Sequence, residues 1–308
     1  MQRSATITVL GSINLDLLVR CQALPAPGQT VAGESLTEVS GGKGANQAVA
    51  AARCGAAVRM IGCVGDDGFG DQLRQNLSSE GIDCGAVTTV PHCESGVAIV
   101  QLEASGENAI IVVPGANGRL TPDHAEQAAE LIRGSDALML QLESPLPTVA
   151  AAARLARQAG VKVILDPAPV PRQLPVELHQ VDLLCPNETE ASALTGLKLS
   201  SIEDAERIAR KLHEQGAANV CITLGPRGTL LFDGQQAQLL PSIRVDALDT
   251  TAAGDAFAGA LAVRWAESGC LEDSVRFANV AGALAASRLG AQPSLARREE
   301  IDAALVGD

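Results

Sequence analysis

Tyrosine is absent from this 308-residue chain, and its large aromatic side chains are four phenylalanines and one tryptophan. Few faces remain on which nucleotide bases could stack. Basic charge is short as well: 23 Lys+Arg against 36 Asp+Glu leave a net charge of -13, a field that repels phosphate backbones at long range. The two deficits argue against nucleic-acid binding, although a local site can reverse the field for a small anion. No apolar run approaches the ~18 residues of a membrane span. The opening stretch MQRSATITVLGSINLD has neither the long apolar segment nor the cleavage site of a signal peptide. Eight cysteines are present without a CxxC pair, so neither a zinc site nor a disulfide frame is expected. The expectation is a soluble, cytoplasmic protein with no membrane partner. Walker A, GxGxxG, HExxH and GxSxG patterns are missing too, which leaves the common cofactor and hydrolase motifs unsupported.

What the chain does have is a globular composition, 46% hydrophobic and 19% charged, and enough length to bury about three quarters of its unfolded surface. Short β-branched runs at 5–11, 57–65, 137–141, 161–166, 182–186 and 219–225 read as buried strands. Between them, 44–54, 68–80, 122–133, 146–159, 188–195 and 202–215 read as amphipathic helices, and 254–268, 272–288 and 297–306 as a C-terminal helical layer. Such alternation predicts an α/β fold with a mostly parallel sheet covered by helices on both faces, and no interdomain linker interrupts 1–308. Two regions break the rhythm. Residues 12–40 carry a loop between extended segments, and 96–113 read as a hairpin turning at Ala104–Ser105–Gly106. Together, as segments of about 15–40 and 92–113, they suggest a small β lid made of two insertions.

The strongest local signal is DTTAAGDAFAGALA, residues 249–262. Small residues lead into a helix whose unpaired N–H groups form an anion site. Asp255 in its first turn is either an ordinary helix-start aspartate or a general base placed where an anion develops. In SGGKGANQAVAAARCG (40–55), glycines around Lys43 permit close backbone approach to a ligand, or simply make a tight turn before a helix. Asn14 and Asp16 of GSINLD follow a buried strand, where open α/β sheets bind ligands. QLESP (141–145), PNETEA (186–191) and TLGPRG (223–228) again follow strands. Glu143 is a surface carboxylate or a grip for sugar hydroxyls. Asn187 caps a helix or, with Glu190, serves a magnesium or phosphate site. Each reading is weak singly; their shared place at one sheet edge joins them.

In order and spacing these six segments resemble the ribokinase branch of the PfkB carbohydrate-kinase family, over essentially the whole chain. The resemblance implies a doubly wound α/β fold, one domain over 1–308 with a β lid, and ATP-dependent phosphorylation of D-ribose at its 5-hydroxyl. It implies that Asn14, Asp16, Gly42, Lys43, Asn46 and Glu143 bind the sugar, that Asp255 is the base, and that Ala252, Ala253, Gly254 and Asp255 supply anion-hole amides. Asn187, Thr223, Gly225, Gly228, Gly254 and Asn279 would line the nucleotide site, with Glu190 near Mg²⁺, reached through water. Asp249, Thr251, Ala285, Arg288, Gly290 and Ser294 would hold an activating K⁺, mostly through carbonyls. The lid's β edges would form a homodimer. Two positions depart from the pattern: Ala252 stands where the family often has Gly, and Asp166 where it often has Asn. The other readings are a kinase of the same family for 2-deoxyribose, a ketose or a nucleoside, and a non-catalytic sugar-binding protein.

Overall fold

The computed structural model describes residues 4–103 and 108–306. Its strands are β1 (Thr6–Leu10), β2 (Asn14–Cys21), β3 (Gly33–Gly41), β4 (Ala57–Gly65), β5 (Asp83–Val90), β6 (Gly96–Glu103), β7 (Asn108–Val113), β8 (Ala137–Leu140), β9 (Lys162–Leu165), β10 (Leu183–Leu184), β11 (Val220–Thr223), β12 (Thr229–Phe232) and β13 (Ala237–Leu240). Its α-helices are α1 (Lys43–Arg53), α2 (Gly68–Ser79), α3 (Pro122–Gln127), α4 (Ala129–Arg133), α5 (Leu146–Gln158), α6 (Glu188–Thr195), α7 (Ile202–Glu214), α8 (Ala253–Ser268), α9 (Leu271–Ala286) and α10 (Arg298–Val306).

A nine-stranded sheet has the order β13-β12-β11-β10-β9-β8-β1-β4-β5. It is parallel from β5 to β11, and β12 and β13 close one edge antiparallel. Successive strand side chains point to opposite faces, and the core divides accordingly. Ile7, Val9 and Met139 join one buried cluster with α1, α8 and α9, whereas Leu10, Leu138 and Leu140 join the other with α5 and α7. Burial on both faces is why these strands read as continuous apolar runs. The expected doubly wound architecture is therefore present.

Three strands, β5, β12 and β13, lie outside the runs picked from the sequence. The stretch 122–133 is two short helices rather than one, with Ala128 between them at φ -90, ψ 9. A second sheet of order β3-β2-β6-β7 stands apart from the first. In it β2 and β6 run parallel from Asn14↔Gly96, and β6 and β7 run antiparallel from Val97↔Val113. The expected turn at Ala104–Ser105–Gly106 lies outside the described residues. Only Gly11, Ser12 and Ile13 separate β1 from β2, so the second sheet rises directly from the carboxyl end of a central strand.

Candidate active site

The site begins where the chain leaves β1 and returns as α1. Gly42, the N-cap of α1, has φ 88, and a Cβ there would meet the Asn14 amide nitrogen at 2.7 Å. A side chain is excluded by both the dihedral and the contact. One carboxylate then ties three strand and helix ends together. Oε2 of Glu143, just past β8, accepts from Ser12 Oγ at 2.5 Å and from the Lys43 backbone N–H at 3.1 Å. Glu143 is thus not a loose surface acid. Asn14 is buried at 4% exposure, and its Oδ1 accepts from Asn117 Nδ2 at 2.7 Å. Asn117 also exchanges hydrogen bonds with the Ile13 backbone, at 2.9 and 3.1 Å, which fixes the hinge between the two sheets.

Asp255 sits at the third position of α8, 4% exposed. It does not cap its own helix. Its Oδ2 accepts from Asn46 Nδ2 at 2.9 Å and its Oδ1 from Gln47 Nε2 at 3.1 Å, both donors on α1. Burial pushes the Asp255 carboxyl up to about 6, against the pull of Lys43 and the two amides, with Asp166 adding to the rise. Asp16 is pushed up to about 7, by burial first and then by the charges of Glu143 and Asp255. The Lys43 ammonium lies 3.6 Å from Asp166 Oδ2; Asp166 is the chief cause holding it protonated, with Asp255, Glu143 and Glu190 contributing. A half-buried ammonium among carboxylates, beside a helix N-terminus, can offset the charge of a transferred anion.

The amides entering α8 are not equivalent. Ala252 is left-handed at φ 60 and lacks a side-chain cap. The Ala253 N–H donates to Thr250 O at 3.2 Å, whereas the Gly254 and Asp255 N–H groups, in the helix's first turn, have no backbone acceptor within the helix. Of the expected anion-hole donors, Ala253 is the one already engaged.

The residues expected at a nucleotide form a second group. Asn187 bridges to Thr223 across the ends of β10 and β11, and Asn187 and Glu190 form a reciprocal capping box at 2.8 and 2.9 Å. Gly225 and Gly228 both have positive φ and flank a tight turn. Asn279, buried on α9, gives Nδ2 to the carbonyls of Leu240 and Pro241 at 3.0 and 3.1 Å and receives Thr229 Oγ1 at 2.6 Å. Its side chain is spent on holding α9 to the sheet edge. Glu190 connects the two groups, since its charge acts on both Lys43 and Asp166.

Further along, Asp249 accepts from the Thr251 N–H and the Gly290 N–H, each at 2.9 Å. Burial works against its charge, but these hydrogen bonds prevail and hold the carboxyl below its usual range. The Ala285 carbonyl accepts from the Arg288 N–H at 3.1 Å, the Arg288 guanidinium pairs with Glu300, and Ser294 Oγ donates to Ala291 O at 2.7 Å.

Four polar residues at the site escaped the sequence reading as participants. Gln47, Gln141, Asn117 and Ser12 sit inside apolar or small-residue runs, and nothing in their spacing separates them from packing residues. Asp166 was visible as a departure, without a role; it is buried, pushed up to about 6 by desolvation, and accepts from Gln47 Nε2 at 2.9 Å.

The pfkB family carbohydrate kinase model matches residues 4–298. A ribokinase from Haemophilus influenzae is 39% identical over 295 residues, 96% of each chain. A deoxyribokinase from Salmonella typhi is 37% identical over 297 residues, 96% of this chain and 97% of its own. Among solved structures, that of Arabidopsis thaliana ribokinase complexed with ribose and ATP superposes with a TM-score of 0.93 at 33% identity, covering 98% of this chain and 99% of that one. With its α/β sheet, its buried aspartate at a helix N-terminus and this match over nearly all its length, the chain belongs to the pfkB family of carbohydrate kinases.

Proposed function

We propose that this kinase transfers the terminal phosphoryl group of ATP to the 5-hydroxyl of D-ribose, giving ribose 5-phosphate and ADP. The observation that carries the reading is the Asp255 carboxylate, buried at the start of α8, with both oxygens held from α1. Asp255 accepts the hydroxyl proton as that oxygen bonds to the γ-phosphorus, and the bond from phosphorus to the β-γ bridging oxygen breaks to release ADP. Phosphoryl transfer asks the protein for positioning and charge stabilisation rather than covalent chemistry. The free N–H groups of Ala252, Gly254 and Asp255 and the Lys43 ammonium serve the phosphoryl oxygens. Asn14, Asp16, Gly42, Asn46 and Glu143 orient the sugar. Asn187, Thr223, Gly225 and Gly228 line the nucleotide, where Asn279 shapes the wall rather than binding through its occupied side chain.

Two ions complete the proposal. Glu190 uses Oε2 for the capping box, leaving its other oxygen for Mg²⁺ through water, a mode that ion favours. Bound there, the ion would neutralise charge on the phosphates. Among the described residues no group of three or more His, Cys, Asp or Glu could hold a metal, so a cation near Asp249, Thr251, Ala285, Arg288, Gly290 and Ser294 would rest mainly on carbonyl oxygens, donors suited to K⁺.

The second sheet would act as a lid that excludes water. It exposes Leu36, Ile110, Ile111, Val112 and Val113, apolar surface on its edge strands β3 and β7 that fits a second copy of the chain. Sedimentation or light scattering tests this; a monomer at micromolar concentration would refute the dimer. Among the described residues no helix is long and apolar enough to cross a membrane, and the free thiols and ATP as donor accord with a cytoplasmic setting.

The Salmonella deoxyribokinase favours one other acceptor, 2-deoxyribose, because its identity of 37% barely differs from the 39% of the Haemophilus ribokinase. Purified protein given ATP, Mg²⁺ and a panel of sugars, with product position read by NMR, tests both. Turnover of neither pentose overturns the assignment.

A further inference from the structure

We infer that Gln47 is a positioning residue for Asp255: its side-chain amide, locked in one orientation by Gln141, fixes the carboxylate that takes the sugar proton. The inference rests on the reading of Asp255 as base. Gln47 lies on α1 at 1% exposure, four residues beyond Lys43 and on the same helix face. Its Nε2 stands 2.9 Å from Asp166 Oδ2 and 3.1 Å from Asp255 Oδ1. A carboxamide nitrogen carries two hydrogens, so each is committed to one carboxylate. One neutral group thereby bridges two buried acids that would otherwise repel.

Orientation follows from the other end of the amide. Gln47 Oε1 accepts from Gln141 Nε2. If the Gln47 amide were reversed, its oxygen would face two carboxylates and its nitrogen another nitrogen, with repulsion on both sides. Gln141 is in turn confined. It is fully buried at the end of β8, and a Cβ on Gly11 would stand 2.1 Å from its Oε1. That Oε1 has no hydrogen-bond partner. An unsatisfied buried acceptor is costly, and the structure carries this one while the donor side of the same amide serves Gln47.

Asn46 secures Oδ2 of Asp255 and Gln47 secures Oδ1, so the carboxylate has one rotation. Without Gln47 a single oxygen remains held. The charged groups then facing Asp255 are Lys43 from α1, Asp16 from β2 and Asp166 from the end of β9, with Glu143 beyond Asp16. Loss of the amide removes a hydrogen bond that favours the ionised base, and proton affinity rises.

The test is kcat against pH at saturating ribose and ATP. Gln47→Leu, similar in size and without polar atoms, is expected to move the acid limb upward by about one pH unit. Turnover near pH 6 falls roughly fivefold and largely recovers above pH 8. Gln141→Leu, which touches only Gln47 in this relay, moves the limb the same way by less. Circular dichroism and melting confirm folding, and if Gln47→Leu does not fold, Gln141→Leu decides alone. A folded Gln47→Leu or Gln141→Leu whose limb stays at the wild-type pH overturns the inference, including the case of a uniform loss at every pH. Asp255→Asn separates the two claims: if it retains turnover, the base assignment falls; if it is inactive while the glutamine variants keep the native profile, only the role of Gln47 falls.

Discussion

The Asn46 amide donates to the Asp255 carboxylate at 2.9 Å, and this contact joins the first turn of α1 to the first turn of α8 across 209 residues of chain. Both helices start among small residues, GGKGA and TAAGD, which lets their N-termini come close enough for the Asn46 and Asp255 side chains to meet. A helix N-terminus stabilises negative charge, and two of them, with the Lys43 ammonium, offset part of the negative charge that Asp16, Glu143, Asp166 and Asp255 bring together here.

Removing the Asp255 charge while keeping its shape isolates the proton transfer. Asp255→Asn is expected to lower kcat by about 10²-fold or more, with dissociation constants for ribose and ATP, read by calorimetry, within about threefold of native. Near-native turnover would remove Asp255 from the chemistry.

Asp16 offers a stability experiment with a definite sign. Its carboxyl, ordinarily near 3.8, is pushed up to about 7 in the folded chain. Between those values the folded state holds a proton that the unfolded state has released, so this group's contribution to stability falls as pH rises from about 4 to 7. Ligand-free Asp16→Asn is therefore expected to melt above the native protein at pH 8, by on the order of 2 kcal/mol. The advantage shrinks as pH falls and all but vanishes near pH 4. A constant difference across that range would show that Asp16 does not titrate as its burial requires.

Much of the fold was legible because it rests on periodicity. Runs such as VKVILD and ALMLQ are apolar on both faces, as strands between two helical layers must be. β12 and β13 lie outside the strands read from the sequence because TLLF and AQLL are four-residue pieces too short for periodicity to mark. The pair turns antiparallel at the sheet edge, where no helix intervenes to mark it. The break at Ala128 leaves no trace because alanine favours helix everywhere. At the site, motif glycines, Lys43 and Asp255 stood out by type and position. Gln47 and Gln141 did not, since their meaning lies in a hydrogen-bond relay between α1 and β8, 94 residues apart. Asn279 was read as a nucleotide contact, yet its side chain is committed to three partners of the sheet edge, a commitment visible only in three dimensions.

Acceptor choice turns on unpaired polar atoms. Asn46 Oδ1 is buried and without a partner, and Asp16 is half-buried; on the proposed reading, sugar hydroxyls would satisfy both once the site closes. A site built to bind a hydroxyl can reject an analogue lacking it by up to ~10⁴-fold. Ribose is expected to exceed 2-deoxyribose in kcat/KM by at least about tenfold, measured in a coupled ADP assay. Equal efficiency would shift the assignment to the deoxyribose reading.

The last prediction concerns the backbone behind the anion site. Asp249 links the segment entering α8 to the turn following α9 through the Thr251 and Gly290 N–H groups. Its neighbour Leu248 and Asp249 itself both donate their N–H to Ala286 O, at 2.9 and 3.2 Å. This junction lies three residues before Ala252, whose left-handed φ of 60 costs an alanine about 1 kcal/mol or more and sets the direction of the amides that follow. A monovalent cation held by the junction's carbonyls would brace that strained turn without touching substrate. Potassium is accordingly expected to raise kcat several-fold over sodium or tetramethylammonium at matched chloride, which removes general screening as the cause. Asp249→Asn, which weakens acceptance from both N–H groups, should blunt the response to potassium while leaving the protein folded. Equal rates in the three salts would exclude a specific cation, and the turn at Ala252 would then be braced by Asp249 alone.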